Sequence, residues 1–197
     1  MNHPDAPIMR RTRNEAGVTM VELLIATLIF AIVASAGFEF YAKMHMAAMA
    51  QDTVSELQFQ GRNTLRDMRK TMRQAGFNLV SHVPYQIKGD TLAVYYGVTK
   101  PVDTILYYKS EFTTADYGKM INQPTGIKLY RLMKKINSAA PTLYADYVNA
   151  FTVVPVDAKT VVMTITVQSD RPDDKYTQNN GYRTYTQGER VFMRNVT

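Results

Sequence analysis

Glu22 is the residue whose type and position could do chemistry where carboxylates are rare. It stands at the front of a run, residues 23–38, that holds no charged side chain. An ionised carboxylate carried to a bilayer centre costs about 2.5–3.5 kcal/mol. Glu22 therefore needs either interfacial water or a cation supplied by another molecule. Val18 lies four residues earlier, on the same face of a helix, and Gly17 precedes it. Arg62, Arg66, Arg69 and Arg73 recur at steps of four, three and four, which makes a basic stripe. Such a stripe reads first as a solvated face and second as a contact surface for an acidic partner subunit or for DNA.

Other side chains offer less. His3, His45 and His82 fall on three different segments, which gives no reason for them to converge on a metal. Asp170, Asp173 and Asp174 lack the spacing and the bidentate glutamate of a calcium loop, and read as turn residues with no metal. No Gly-x-Ser-x-Gly, P-loop or His-Glu-x-x-His is present. With no cysteine, thiol catalysis, zinc–thiolate sites and disulfides are excluded. These residues point to no enzyme and no cofactor. The net charge of +6 permits nucleic acid as a partner without requiring it.

The element that carries Glu22 is a helix able to span a bilayer. Counted from Val18 the apolar segment has about 20 residues, matching a hydrocarbon core of about 30 Å. Arg10, Arg11 and Arg13 hold the N-terminal side in the cytoplasm and send the chain beyond Lys43 outward. Ala34-Ser35-Ala36 fits an export cleavage site, but the helical pattern continues through it and Glu22 serves no purpose in export. Arg10-Arg11 is a weak twin-arginine signal, because the apolar run begins late. A plain anchor with Glu22 reaching back to the interface is the simpler alternative.

The helix continues beyond the apolar segment. Between Tyr41 and Gly76 there is no proline, and Val54, Leu57, Gly61, Leu65, Met68, Met72 and Ala75 recur at three and four. That face is expected to pack, with the arginine stripe on the opposite side and Gly76 ending the helix. Gly37 and Gly61 are its soft points. From residue 91 the pattern becomes alternating and β-branched, predicting strands at 91–98, 104–110, 126–134, 147–155, 160–169 and 185–194. Short links, such as Val156-Asp157-Ala158-Lys159, make neighbouring strands antiparallel. Longer loops fall at 111–125 and 170–181, where Asp116-Tyr117-Gly118 reads as turn chemistry. The fold class is α+β, one long helix on an antiparallel sheet.

Gly17-Val18-Thr19-Met20-Val21-Glu22 at the head of the apolar run resembles the class III leader of type IV pilins and type II secretion pseudopilins. The resemblance implies the type IV pilin fold and a leader over 1–17, cut after Gly17 by a prepilin peptidase. It implies Val18 as the new, N-methylated terminus, and Glu22 as the carboxylate that neutralises a neighbouring subunit's amine. The helix would cover 18–76, with 18–40 in the membrane, and a globular head would cover 77–197. The protein would cross the bacterial inner membrane once, N-terminus in the cytoplasm and head in the periplasm, and become extracellular in a pilus. Val18 departs from the usual Phe or Met, and the missing cysteines depart from many major pilins, so sheet pairing must secure the C-terminus.

A finer similarity lies in Ala75-Gly76-Phe77, Leu129-Tyr130-Arg131 and Phe192-Met193-Arg194-Asn195, which are similar to minor pilins of the PilW kind. It implies a subunit that primes pilus assembly or sits at the tip, with other minor pilins and the major pilin as partners. The J-type pseudopilin of type II secretion shares the layout and stays open. A DNA-uptake or adhesion receptor on the pilin scaffold is a third reading, with nucleic acid the lesser partner.

Overall fold

The apolar and amphipathic halves of the N-terminal pattern form a single 55-residue helix, α1 (Met20–Gln74). The computed structural model describes residues 18–79, 83–97, 102–118, 120, 126–173 and 175–195. Thr19 starts the helix: its Oγ1 accepts the Glu22 N–H at 3.2 Å and its carbonyl accepts the Leu23 N–H at 3.1 Å. This is N-capping by a threonine, and Thr19-Met20-Val21-Glu22 has the spacing of a capping box. At the other end Gly76 takes φ +78, the left-handed geometry that closes a helix. A Cβ there would lie 2.6 Å from the Asn195 carbonyl oxygen, so the position tolerates only glycine.

The chain divides into two compact units, Met1–Ala47 and Ala48–Thr197. In the first, the described residues are helical from Met20, and the large apolar side chains from Val18 to Met46 are all exposed. By length and composition this part of α1 can cross a membrane.

In the second unit the rest of α1 lies on an antiparallel sheet. Its strands are β1 (Tyr85–Lys88), β2 (Thr91–Tyr96), β3 (Asp103–Glu111), β4 (Tyr130–Ile136), β5 (Thr142–Pro155), β6 (Thr160–Pro172) and β7 (Tyr182–Phe192). Their spatial order is their chain order, so each strand pairs with its sequence neighbours. Leu57, Leu65, Met68 and Met72 of α1, with Ala75 just beyond its end, form the core with Val94, Ile105, Tyr107, Leu132, Val161, Met163, Ile165, Val167, Val191 and Met193. The helix supplies the face that the spacing of three and four predicts. A short helix, α2 (Thr114–Tyr117), follows β3, and Phe112, Met120, Leu129 and Tyr182 make a second, smaller core.

Several strand expectations shift. β6 runs to Pro172 rather than 169 and β7 spans Tyr182–Phe192 rather than 185–194, because the ladder between them resumes at Pro172 and Tyr182. β1 is additional: it has only four residues, and the Gly89-Asp90 turn joins it to β2 with Lys88 opposite Thr91. β4 begins at Tyr130 rather than at 126, because Leu129 is taken into the smaller core. β5 begins at Thr142 rather than at 147, since the ladder is irregular between Val148 and Ala150 and Tyr147 sits at φ +50. The link between β5 and β6 is as tight as expected, with Val156 N–H on the Thr160 carbonyl at 2.8 Å. The C-terminus is secured by packing: Met193 is fully buried, its N–H reaches the Lys159 carbonyl at 2.8 Å, and Asn195 Nδ2 donates to the Arg73 carbonyl at 3.3 Å.

Candidate functional site

The first unit presents Glu22 in the opening turn of α1, exposed, with no side-chain partner among the described residues. Its position favours the negative charge, because the N-terminal end of a helix carries the positive end of the peptide dipoles. Val18, four residues back, is 70 % exposed. Among the described residues, nothing within this unit covers Ile25, Leu28, Ile29, Phe30, Ile32 or Val33. Gly17 and the leader lie outside the described residues, as do His3, His82 and Asp174. His45 is on α1 with its ring 6.2 Å from that of Tyr41.

In the second unit the four arginines do not share one environment. Arg69 pairs with Glu189 of β7 at 2.5 Å, and Arg62 Nε donates to the Tyr185 hydroxyl at 3.4 Å. Arg66 and Arg73 are exposed and have no carboxylate partner among the described residues. Arg62, Arg66 and Arg69 line a groove of about 610 Å³ between α1 and β7, together with Phe59, Gln187 and Glu189. Arg73 is outside that groove. Gly61 brings the helix close to β7 here, since a Cβ would stand 3.2 Å from the Tyr185 ring. Phe59 is 69 % exposed and also borders a second groove, on the β5 flank, lined by Glu56, Gln60, Asp67, Tyr144 and Asp146.

Asp67 belongs to a polar clamp that spacing alone did not reveal. Its carboxylate accepts from the Tyr144 hydroxyl at 2.7 Å and the Lys134 ammonium at 3.0 Å. Burial alone would raise its pKa, but Tyr144 and Lys134 outweigh that and hold it below the usual value. Burial pushes the Tyr144 phenol strongly up, and the Asp67 carboxylate adds to it. Beside this pair, Thr71 Oγ1 and the fully buried Tyr107 hydroxyl share a hydrogen bond of 2.9 Å. Lys134 Nζ stands 5.3 Å from the Tyr144 ring and 5.7 Å from that of Tyr107. The group fastens α1 to β3, β4 and β5; all its phenols are un-ionised, as fits a structural tie.

Asp116 is more than a turn residue. It closes a capping box with Thr113 at the start of α2 and takes Arg131 in two hydrogen bonds, 3.0 and 2.6 Å. The Arg131 guanidinium, then the Thr113 N–H and hydroxyl, hold its carboxyl far below the usual range. Arg131 also sits over the Phe112 ring at 4.9 Å. Asp173 is likewise tied, to Arg183 at 2.6 Å and to the Lys175 N–H at 2.9 Å, whereas Asp170 is exposed. Among the described residues no three His, Asp or Glu side chains gather as a metal would need. What the arrangement offers is uncovered surface: among the described residues, an apolar helix headed by one carboxylate in the first unit, and a basic groove on the second.

A prokaryotic N-terminal methylation motif matches residues 12–38 of the chain. That span contains Gly17, Val18, Glu22 and the uncharged run behind them. No curated protein and no solved structure matches the chain. The motif supports a type IV pilin or pseudopilin, a structural protein anchored in a membrane, and implies a prepilin peptidase and other pilins as its partners.

Proposed function

We propose that the chain is a minor pilin of the PilW kind, which primes assembly of a type IV pilus or sits at its tip. Prepilin peptidase cuts between Gly17 and Val18, the Val18 amine is methylated, and Glu22 receives the amine of an adjacent subunit. The cytoplasmic side holds Arg10, Arg11 and Arg13; the head lies in the periplasm until assembly carries it outside. The carrying observation is the methylation motif over 12–38 on a helix whose apolar side chains and carboxylate find no partner among the described residues of their own unit. Burying that helix among others removes its apolar surface from water or lipid headgroups, and an amine beside Glu22 relieves the cost of an unpaired charge there.

Mass spectrometry of the N-terminus, on protein purified from membranes, tests this reading. A mature chain beginning at methylated Val18 is expected, and Gly17→Asp should leave the uncut precursor and cells without pili. A mature start after Ala36 would show an exported protein and overturn the proposal. Normal secretion together with lost piliation in a deletion strain separates a pilus subunit from a secretion pseudopilin; the reverse outcome identifies the pseudopilin.

A further inference from the structure

The outer edge of β7 and the basic groove beside it form one surface. β7 closes the sheet at one side, and its backbone over 184–192 has a ladder partner only in β6 among the described residues. An unpaired edge of this length is a template for another strand unless something covers or breaks it. Tyr185, Gln187 and Glu189 alternate onto the α1 side, as shown by Tyr185 against Gly61 and Glu189 against Arg69. A strand added outside β7 would place every second side chain on that same side, next to Arg62 and Arg66.

The charge there is uncompensated. Glu189 neutralises Arg69, Arg62 touches only the neutral Tyr185 hydroxyl, and Arg66 has no carboxylate among the described residues. Alternate side chains of a strand are about 6.8 Å apart, and Arg62 and Arg66 are one helical turn, about 6 Å, apart. Carboxylates at positions i and i+2 of an added strand thus meet the two arginines in turn. Phe59, at the groove's rim, gives an apolar side chain of that strand a place to rest.

We infer that this surface takes an extended acidic segment of another protein as an eighth strand along β7. A second copy of this chain is the poorer occupant. The opposite edge, β1, carries Lys88 and no carboxylate, and pairing β7 with its own copy would bring Arg66 against arginine. No described strand holds two carboxylates at alternate positions. The inference rests on the assembly role only for which protein supplies the segment; the binding surface itself belongs to the second unit.

The test uses the full chain in detergent micelles and a fluorescent peptide of about nine residues, glutamate alternating with valine. Fluorescence anisotropy should show saturable binding, and hydrogen exchange should slow over 184–192. Arg66→Glu, at an exposed residue without a carboxylate partner, should weaken binding about tenfold or more with the circular dichroism spectrum unchanged. Undiminished binding of a peptide with prolines at two central valines, which cannot complete a ladder, would overturn strand addition. Equal binding of a lysine–valine peptide would overturn the charge complementarity. Slowed exchange at β1, or slowing at β7 that grows with protein concentration and needs no peptide, would assign the edge otherwise and defeat the proposal. So would a single-stranded oligonucleotide that displaces the peptide and binds more tightly. None of these outcomes bears on where the N-terminus is cut.

Discussion

Asp116 and Arg131 show how a pair of ordinary surface residues acquires a defined job. The Arg131 fork and the Thr113 donors favour the ionised carboxylate, so the folded pKa of Asp116 lies below its ordinary 3.8. A depressed folded pKa means that the stabilisation is complete above the ordinary value and is lost as pH falls toward the depressed one. Wild type should therefore weaken steeply below about pH 4, while Arg131→Met should be weaker at neutral pH and less sensitive to acid. Urea midpoints measured from about pH 2 to 6 check this; parallel curves for the two proteins would refute it. Gly76→Ala has a different cause. It combines left-handed backbone with a collision on the Asn195 carbonyl, and should lower stability by about 2 kcal/mol or more in urea melts. Gly76 was legible because a glycine just past an amphipathic run has one common use. Asp116 was not, because its partner is fifteen positions away, on β4. Thr113-Thr114-Ala115-Asp116 did hold a signal, the spacing of a helix cap.

The amphipathic part of α1 was the most readable element, since its buried face depends on a period that no later strand can alter. Met68→Ala removes a fully buried side chain from the middle of that face and should cost about 2–5 kcal/mol. Asp67→Ala releases the clamp to Lys134 and Tyr144. Its carboxylate is 44 % exposed and screened, so the loss should be nearer 1–2 kcal/mol. Equilibrium unfolding of both variants orders them; an Asp67→Ala change as large as that of Met68→Ala would contradict the packing account. The strands were less readable where the backbone departs from regular pleating. Tyr147 at φ +50 breaks the alternation within β5, so the half before it loses the period that identifies a strand. β1 is too short to show a period at all, although its turn was evident. Arg62 and Arg69 lie over β7 through Gly61, a glycine that in sequence stood on the packing face and as a soft point, with nothing to say that β7 would approach it.

Across the whole chain, apolar surface is distributed in two opposite ways. Among the described residues, 18–47 keep theirs uncovered within their unit, whereas the unit from Ala48 onward buries much of its own in a main and a smaller core. The protein should accordingly stay in membranes through an alkaline carbonate wash and leave them only with detergent. Immunoblots of the fractions decide this, and release by carbonate would show that the apolar segment does not anchor the chain. The α+β class was visible from the change of period near residue 91. Of the candidate surfaces, the sequence offered Glu22 and the arginines as residues, but not the groove in which Arg62, Arg66 and Arg69 stand beside Gln187 and Glu189, because β7 is brought to them only by folding. The strand order carries one more consequence, for the timing of synthesis. Each hairpin can form as soon as its two strands emerge, but Val191 and Met193 complete the core only after all seven strands have been made. Until then the packing face of α1 faces an unfinished sheet. A nascent head of this kind needs protection from aggregation until β7 has emerged, so a stop codon placed before Val191 should yield a degraded product rather than a shortened working one.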